Sequence, residues 1–229
     1  MNMLPFVLLG AIFGLDVVTF PQAMFSRPIV AATVSGALAG HADLGLLLGA
    51  TLELIALETL PFGASRYPEW GSAAVVGGAL MASGARAMSP HGVSAALAMS
   101  VLASLATAWV GGLSMVALRR RNAVWAHAAA AELDAGSARA IVRLQLRGLM
   151  ADLLRGALLT AVALVILRPL VDTGVGLWSV NPRLTRAVVV GIASTVAVGA
   201  VWKVFHTTRG AIWFFVGGLG VGAVLLAYQ

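Results

Sequence analysis

The sequence has no cysteine and very few charged residues. Because cysteine is absent from all 229 residues, disulfides, thiolate catalysis and cysteine-ligated metal sites are excluded. Charged residues make up 10% of the chain, whereas a soluble domain carries about 25%. Hydrophobic residues make up 60%. This balance predicts an integral membrane protein.

Familiar catalytic and nucleotide-binding motifs are also missing. The sequence contains no Walker A motif, no Gly-x-Ser-x-Gly elbow and no dinucleotide fingerprint. Its four histidines are far apart, and none pairs at i, i+4 with another ligand type. We therefore expect no catalytic residue, no metal site and no cofactor in this chain.

Long apolar runs dominate what is present. Four of them approach or exceed the ~20 residues that a helix needs to cross a bilayer, namely 91–118, 149–171, 185–204 and 210–228. The run 71–88 is marginal, and 4–20 can cross only if Asp16 faces protein. The chain start lacks a basic n-region, so it is predicted to be a retained first span. The pattern predicts an all-α polytopic helical bundle.

The apolar segment 28–57 differs from the others. It is interrupted at Gly40-His41-Ala42-Asp43, and each half is too short to cross a ~30 Å hydrocarbon core upright. Two half-length helices meeting at a polar tip would form a re-entrant hairpin, which in transporters points to the substrate site. The alternatives are one long tilted helix with a kink, or two ordinary spans.

Three charged residues lie among these apolar residues: Arg27, Glu53 and Glu58. A charge inside a membrane segment is costly and is a functional candidate by default. Glu58 lies about 140° around the helix from Glu53, so the two carboxylates do not share a face. Other interpretations stay open: a structural ion pair between Arg27 and Glu53, a membrane-surface anchor for Arg27, and a solvent-facing Glu58.

Polar and helix-breaking residues flank these charges. Pro61 lacks an N–H and Gly63 allows positive φ, so a broken helix beside Glu58 is predicted to expose backbone groups to a substrate. Asp16 and Gln22 belong to a polar series predicted to line a cavity or an interface. The predicted substrate-binding set is Asp16, Gln22, Arg27, Glu53, Glu58, Leu60, Pro61, Phe62 and Gly63.

The middle of the chain is polar and basic. Arg119, Arg120 and Arg121 close one apolar run, and further arginines follow at a spacing of four, on one helix face, at positions 139, 143 and 147. The excess of arginine predicts a cytoplasmic location. It is either an orientation signal or a docking surface for a cytoplasmic partner. We predict one membrane domain over 1–229, with an N-terminal half (1–118), a polar cytoplasmic loop (119–147) and C-terminal helices (148–229).

The motifs near the start match a known pattern in order and spacing. They are Leu15-Asp16, Phe20, Gln22, Met24, Ser26–Ala31, Gly36, Leu38, Gly40, Asp43, Gly45, Gly49, Leu52–Leu54, Leu60–Ala64 and Pro68-Glu69, with Arg209-Gly210 and Trp213–Phe215 near the end. With these residues the chain resembles the membrane IIC component of the mannose/fructose/sorbose family of the bacterial phosphotransferase system.

The resemblance implies a sugar-translocating permease subunit in the bacterial inner membrane that moves a hexose or amino sugar. It implies a second membrane subunit, IID, and cytoplasmic IIA and IIB proteins that carry phosphoryl groups. IIB phosphorylates the sugar as it arrives, so the IIC chain is not itself an enzyme. This chain departs from the family in having Glu58 where a small residue is usual, and Ala56 where a tryptophan is frequent.

Two other functions are compatible with the residues. One is a non-transporting membrane scaffold or sensor, which would keep the fold without needing Glu53. The other is a secondary transporter that couples solute movement to protons through Glu53 or Glu58.

Overall fold

A computed structural model describes residues 2–58, 67–85, 89–207 and 209–227. Over these residues the regular structure is entirely α-helical. In chain order the helices are α1 (Leu4–Asp16), α2 (Pro28–Leu38), α3 (Ala42–Ala56), α4 (Trp70–Gly84), α5 (Pro90–Ala128), α6 (Ala130–Asp134), α7 (Ala138–Leu177), α8 (Pro182–Phe205) and α9 (Ala211–Ala227). The predicted all-α class is confirmed.

Among the described residues, three helices are long and apolar enough to cross a membrane: α5, α7 and the Pro182–Lys203 part of α8. They coincide with three of the four long apolar runs, and the fourth run forms α9, of 17 residues. Many large apolar side chains on these helices are exposed, as expected where lipid replaces water around the protein. The chain is a membrane protein.

Residues 119–147, predicted to be a polar loop with a helical stretch over 139–147, are largely helical. α5 continues to Ala128 and α7 begins at Ala138, so the connection shrinks to 129–137 and includes the short α6. Alanine and arginine are strong helix formers, so a polar composition did not stop either helix. At 1.5 Å per residue, the 39 residues of α5 extend about 58 Å, well beyond a ~30 Å hydrocarbon core.

α2 and α3 form an antiparallel hairpin whose turn contains Gly40 with a φ of +89°. The two helices are about 17 and 23 Å long, each shorter than the hydrocarbon core, as predicted. They pack closely because Gly45 and Gly49 face the backbone of α2; a Cβ on Gly49 would lie 2.9 Å from the Cα of Ile29. That the hairpin is re-entrant in the bilayer stays a prediction.

α4 is the centre of the bundle. It packs against α1, α2, α3, α5 and α7, and its residues from Trp70 to Ala82 are all buried. A helix that is apolar around its whole circumference needs neighbours on every side. The α2–α3 hairpin therefore rests on one side of α4, while α1, α5 and α7 cover the others. This arrangement brings the ends of α1, α2, α3 and α4 together.

Candidate functional site

The segment 17–27, between α1 and α2, is held in place by Asp16. Asp16 is buried, with 2% of the residue exposed. Its Oδ1 accepts a hydrogen bond from the backbone N–H of Ala23 at 2.7 Å, and its Oδ2 accepts one from Ser26 at 2.8 Å. Hydrogen bonds to a carboxylate are about twice as strong as neutral ones. Asp16 thus shapes the backbone that presents Arg27, with both carboxylate oxygens already occupied.

Arg27 is the N-cap residue of α2, and its guanidinium forms an ion pair with Glu53 of α3. The Glu53 side chain is 18% exposed and that of Arg27 is 37% exposed. Oε2 of Glu53 also accepts a hydrogen bond from the backbone N–H of Ile29, in the first turn of α2, at 3.2 Å. A carboxylate placed there satisfies a free N–H and complements the helix dipole. The ion pair between Arg27 and Glu53 therefore exists, and it lies half-buried at the base of the hairpin.

A cavity of about 90 Å³ lies next to this pair, and we call it the α2 cavity. It is lined by Val17, Ser26, Arg27, Pro28, Ala56, Tyr67, Pro68 and Trp70. Ligand pockets usually measure ~300–1,000 Å³, so the α2 cavity is smaller in this structure than a typical small-molecule site. Two aromatic residues share its wall with Ala56, at positions 67 and 70.

Two of the remaining predicted site residues, Gln22 and Glu58, do not line the α2 cavity. Gln22 is exposed, and its Nε2 donates to the carbonyl of Val18 at 2.7 Å. Glu58 lies at the exposed end of α3 and pairs with Lys203 of α8 at 3.1 Å. The predicted helix break at Leu60, Pro61, Phe62 and Gly63 lies outside the described residues.

A buried charge network that was not predicted from the sequence is centred on Arg155, and we call it the Arg155 network. Arg155 of α7 is 8% exposed and donates from Nε to Asp152 Oδ1 at 2.7 Å. Its other nitrogens reach the hydroxyl of Ser114 and the carbonyl of Gly14, each at 3.3 Å. Glu69, the N-cap of α4, is fully buried, with its Oε2 3.9 Å from Nη1 of Arg155. The network joins α1, α4, α5 and α7.

Two sequence signals could have found this network. Asp152 and Arg155 are opposite charges at i, i+3 inside an apolar run long enough to span a membrane, where any charge is a candidate. Glu69 immediately precedes an apolar helix, in the position of an N-cap acceptor, and its Oε1 accepts from the backbone N–H of Ser72 at 2.9 Å. That these three side chains meet is visible only in the tertiary structure.

The chemistry available at the α2 cavity is recognition rather than catalysis. Arg27 supplies hydrogen-bond donors, Ser26 supplies a hydroxyl, and two aromatic rings supply apolar faces. Within the described ranges, no group of three or more His, Cys, Asp or Glu side chains could hold a metal ion. Such a wall suits a neutral, polar guest of small size.

Comparison with known protein families agrees with the sequence motifs. The family model described as the sorbose-specific IIC component of the phosphotransferase system (EII-Sor) matches residues 1–225. The chain belongs to this family. IIC components are the transport components of phosphotransferase systems, and phosphoryl transfer lies on other subunits.

Two curated relatives are similar to a little under two thirds of the chain. It is 28% identical to the sorbose-specific EIIC component of Lacticaseibacillus casei over 62% of this chain and 48% of that protein. It is 28% identical to the mannose-specific EIIC component of Escherichia coli K12 over 60% of this chain and 48% of that protein. The alignments thus span about half the length of these relatives.

Two solved structures share the fold at low sequence identity. One, titled "Structure of membrane protein", has a TM-score of 0.72 at 21% identity and covers 100% of this chain and 95% of its own. The other is a cryo-EM structure of the mannose transporter ManYZ in complex with microcin E492. It has a TM-score of 0.60 at 21% identity, and the match covers 100% of this chain and 94% of that chain.

Proposed function

We propose that this chain is the sugar-translocating IIC subunit of a phosphoenolpyruvate-dependent phosphotransferase system in the bacterial inner membrane. It moves a hexose or amino sugar inward for phosphorylation by a IIB partner, and it works beside a IID-type membrane subunit. IIA and IIB act from the cytoplasmic side. Family membership and relatives named for sorbose and mannose support this proposal.

The observation that carries it is the lining of the α2 cavity. A guanidinium, a hydroxyl and two aromatic rings converge at the base of a short helical hairpin. A sugar ring has hydroxyls for the first two groups and an apolar face for the rings. Ala56, which replaces a frequent family tryptophan, shares this wall with Tyr67 and Trp70, so we propose that one of these rings takes the place of the tryptophan.

Glu53 contributes to the proposed site through Arg27. The pair restrains the guanidinium, and as the α2 cavity widens the carboxylate becomes available to sugar hydroxyls. We also propose roles for the other predicted site residues. The segment 60–63 supplies backbone groups to the sugar, and Asp16 supports the segment 17–27. Gln22 and Glu58 contact the sugar at the entrance of the α2 cavity.

The decisive test is uptake of a panel of labelled hexoses and amino sugars. Cells expressing the chain together with IID, IIA and IIB proteins of the same family are compared with cells that express these proteins without this chain. Chain-dependent accumulation of sugar phosphate is the expected result. Uptake of unmodified solute by this chain alone would identify a secondary transporter instead, and no uptake with all partners present would identify a scaffold or sensor.

A further inference from the structure

A second and larger cavity lies between α5 and α7, and we call it the α5–α7 cavity. Its volume is about 340 Å³, within the range of small-molecule sites. The polar and aromatic part of its lining consists of Thr19, Arg119, Asn122, Trp125, Gln145 and Asp152, and aliphatic side chains complete it. None of these residues belongs to the predicted substrate-binding set.

Asn122, which lines this cavity, carries an unpaired acceptor. Its Oδ1 is buried and makes no hydrogen bond to any residue that the structure describes. Leaving a buried carbonyl unpaired costs about 1–3 kcal/mol, so a ligand that donates a hydrogen bond to Oδ1, once the Asn122 side chain turns toward the cavity, gains an interaction that the empty site lacks. The nearby indole of Trp125 is restrained by the Arg147 guanidinium, whose Cζ lies 4.0 Å from the ring centroid. An unpaired acceptor beside a fixed aromatic face suits a small molecule that has both hydroxyls and an apolar face.

The α5–α7 cavity and the α2 cavity are neighbours. Tyr67 lines the α2 cavity and Arg119 lines the α5–α7 cavity. Nη2 of Arg119 donates to the Tyr67 hydroxyl at 2.6 Å, and the guanidinium also lies 5.1 Å from the centroid of the Tyr67 ring. Consecutive residues Val17 and Val18 line the two cavities in turn. One pair of side chains therefore forms a shared wall between them.

The α5–α7 cavity lies on the side of the membrane that the arginines predict to be cytoplasmic. It lies where α5 and α7 carry Arg119, Arg120, Arg121 and Arg147. An excess of arginine near span ends identifies the cytoplasmic side. A solute that leaves the α2 cavity through the Tyr67–Arg119 wall thus enters a larger space on the inner side.

We propose that the α5–α7 cavity is an inner sugar-binding site, which holds the unmodified hexose after it has crossed the Tyr67–Arg119 wall. Asn122 accepts a hydrogen bond from a sugar hydroxyl, Trp125 faces the apolar side of the ring, and Gln145 supplies further polar contacts. The proposal rests on the proposed sugar-transport function and adds to it a second site with its own residues.

The cysteine-free chain allows a direct test. Ala126 lines the α5–α7 cavity without a polar group to lose, and Val124, two positions earlier on α5, is exposed and does not line it. The variants Ala126→Cys and Val124→Cys, each with its partner subunits in inverted membrane vesicles, are labelled with a membrane-impermeant maleimide. The rates are measured with and without mannose, sorbose and other hexoses.

A bound sugar slows labelling by the factor 1 + [L]/Kd, so sugar at about ten times its Kd should slow Ala126→Cys about tenfold. Labelling of Val124→Cys should not change. Adding Asn122→Ala to Ala126→Cys should raise the sugar concentration needed for protection about tenfold, because one hydrogen bond is lost. Gln145 is exposed, so Gln145→Ala should not disturb folding. It is a second variant that should weaken protection by sugar.

Each result decides the proposal. Protection of Ala126→Cys that Asn122→Ala weakens supports an inner sugar site. The proposal is wrong if no tested hexose slows the labelling of Ala126→Cys. It is also wrong if a hexose slows labelling but neither Asn122→Ala nor Gln145→Ala changes that protection. Sugar-phosphate accumulation in cells carrying the parent chain or Val124→Cys reports on the proposed function separately. Accumulation without protection rejects the inner site alone, and the absence of both rejects the two proposals together.

Discussion

The carboxylate of Glu53, on α3, accepts a hydrogen bond from the backbone N–H of Ile29, in the first turn of α2. The same carboxylate pairs with Arg27, the N-cap residue of α2. One side chain thus fixes the start of α2 and the orientation of the guanidinium beside the α2 cavity. The structural role of Glu53 and its proposed role in sugar binding are compatible, because the ion pair that joins α2 and α3 also involves Arg27, which lines the α2 cavity.

The first prediction concerns Glu53→Gln. Glutamine keeps an acceptor for the Ile29 N–H but loses the charge that pairs with Arg27, and a partly exposed ion pair contributes at most about 1 kcal/mol. Thermal stability in detergent should change little. Sugar uptake should fall about 10- to 100-fold, since hydrogen bonds to a charged group contribute about 1.5–3 kcal/mol each.

The control for Glu53→Gln is Glu132→Gln, which removes an exposed pair with Arg143 far from the α2 cavity. It should leave both uptake and stability unchanged. Full uptake by Glu53→Gln would show that Glu53 has only a structural role, and a loss of pH dependence with uptake retained would indicate proton coupling.

The second prediction concerns Arg155→Met. Removing the guanidinium leaves Asp152 and Glu69 buried without a compensating charge, and breaking a buried pair in this way costs about 3–5 kcal/mol. A drop of this size in the free energy of unfolding should be measurable in detergent micelles by thermal or denaturant titration. Combining Arg155→Met with Glu69→Gln should recover part of the loss.

Arg168→Met is the matched control on the same helix. Arg168 pairs with Asp172 at 3.8 Å, and both side chains are partly exposed, so the cost should stay below about 1 kcal/mol. Equal stability losses at positions 155 and 168 would contradict a central role for the Arg155 network.

The third prediction concerns Asp16→Ala. The change removes the acceptor of two backbone N–H groups, from Ala23 and Ser26. With about 1.5–3 kcal/mol for each hydrogen bond to a charged group, the expected destabilisation is about 3–6 kcal/mol if the segment cannot rearrange, and less if water replaces the carboxylate. Protease cleavage within 17–27 should accelerate, and uptake should fall with it. Asp43→Ala, at an exposed position on α3, should leave the cleavage rate unchanged.

The fourth prediction concerns the contact between α2 and α3. In Gly49→Ala the new methyl group would lie 2.9 Å from the Cα of Ile29, which is backbone and cannot rotate away. Overpacking of this kind costs about 1–3 kcal/mol and pushes the start of α2 away from Glu53. We expect a lower melting temperature and reduced uptake.

Gly191→Ala tests whether any added methyl group has the same effect. A Cβ at Gly191 meets no atom of the described residues within 4 Å, and alanine favours helix over glycine. Stability should therefore stay equal or rise. A melting temperature for Gly49→Ala at or above that of the parent chain would refute the proposed close packing.

Local pattern was enough to predict much of this molecule. The apolar runs identified the long helices because a bilayer of given thickness requires about 20 apolar residues. The interruption at Gly40-His41 separated α2 from α3, because glycine alone readily adopts the positive φ found there. The helix ends near Arg119–Arg121 were misjudged, since arginine marks the edge of the membrane without ending a helix.

What the sequence by itself determined is the class of the protein, the short hairpin, and the unusual charges Arg27 and Glu53 within it, because each depends on residues close together in the chain. Only the tertiary structure decided which partners those and other charges have. Gly14 and Arg155 are 141 positions apart, and no periodicity relates them. They meet because α4 is apolar on all sides, so α1, α5 and α7 pack against it. A buried charge is stable only where such packing supplies its partner.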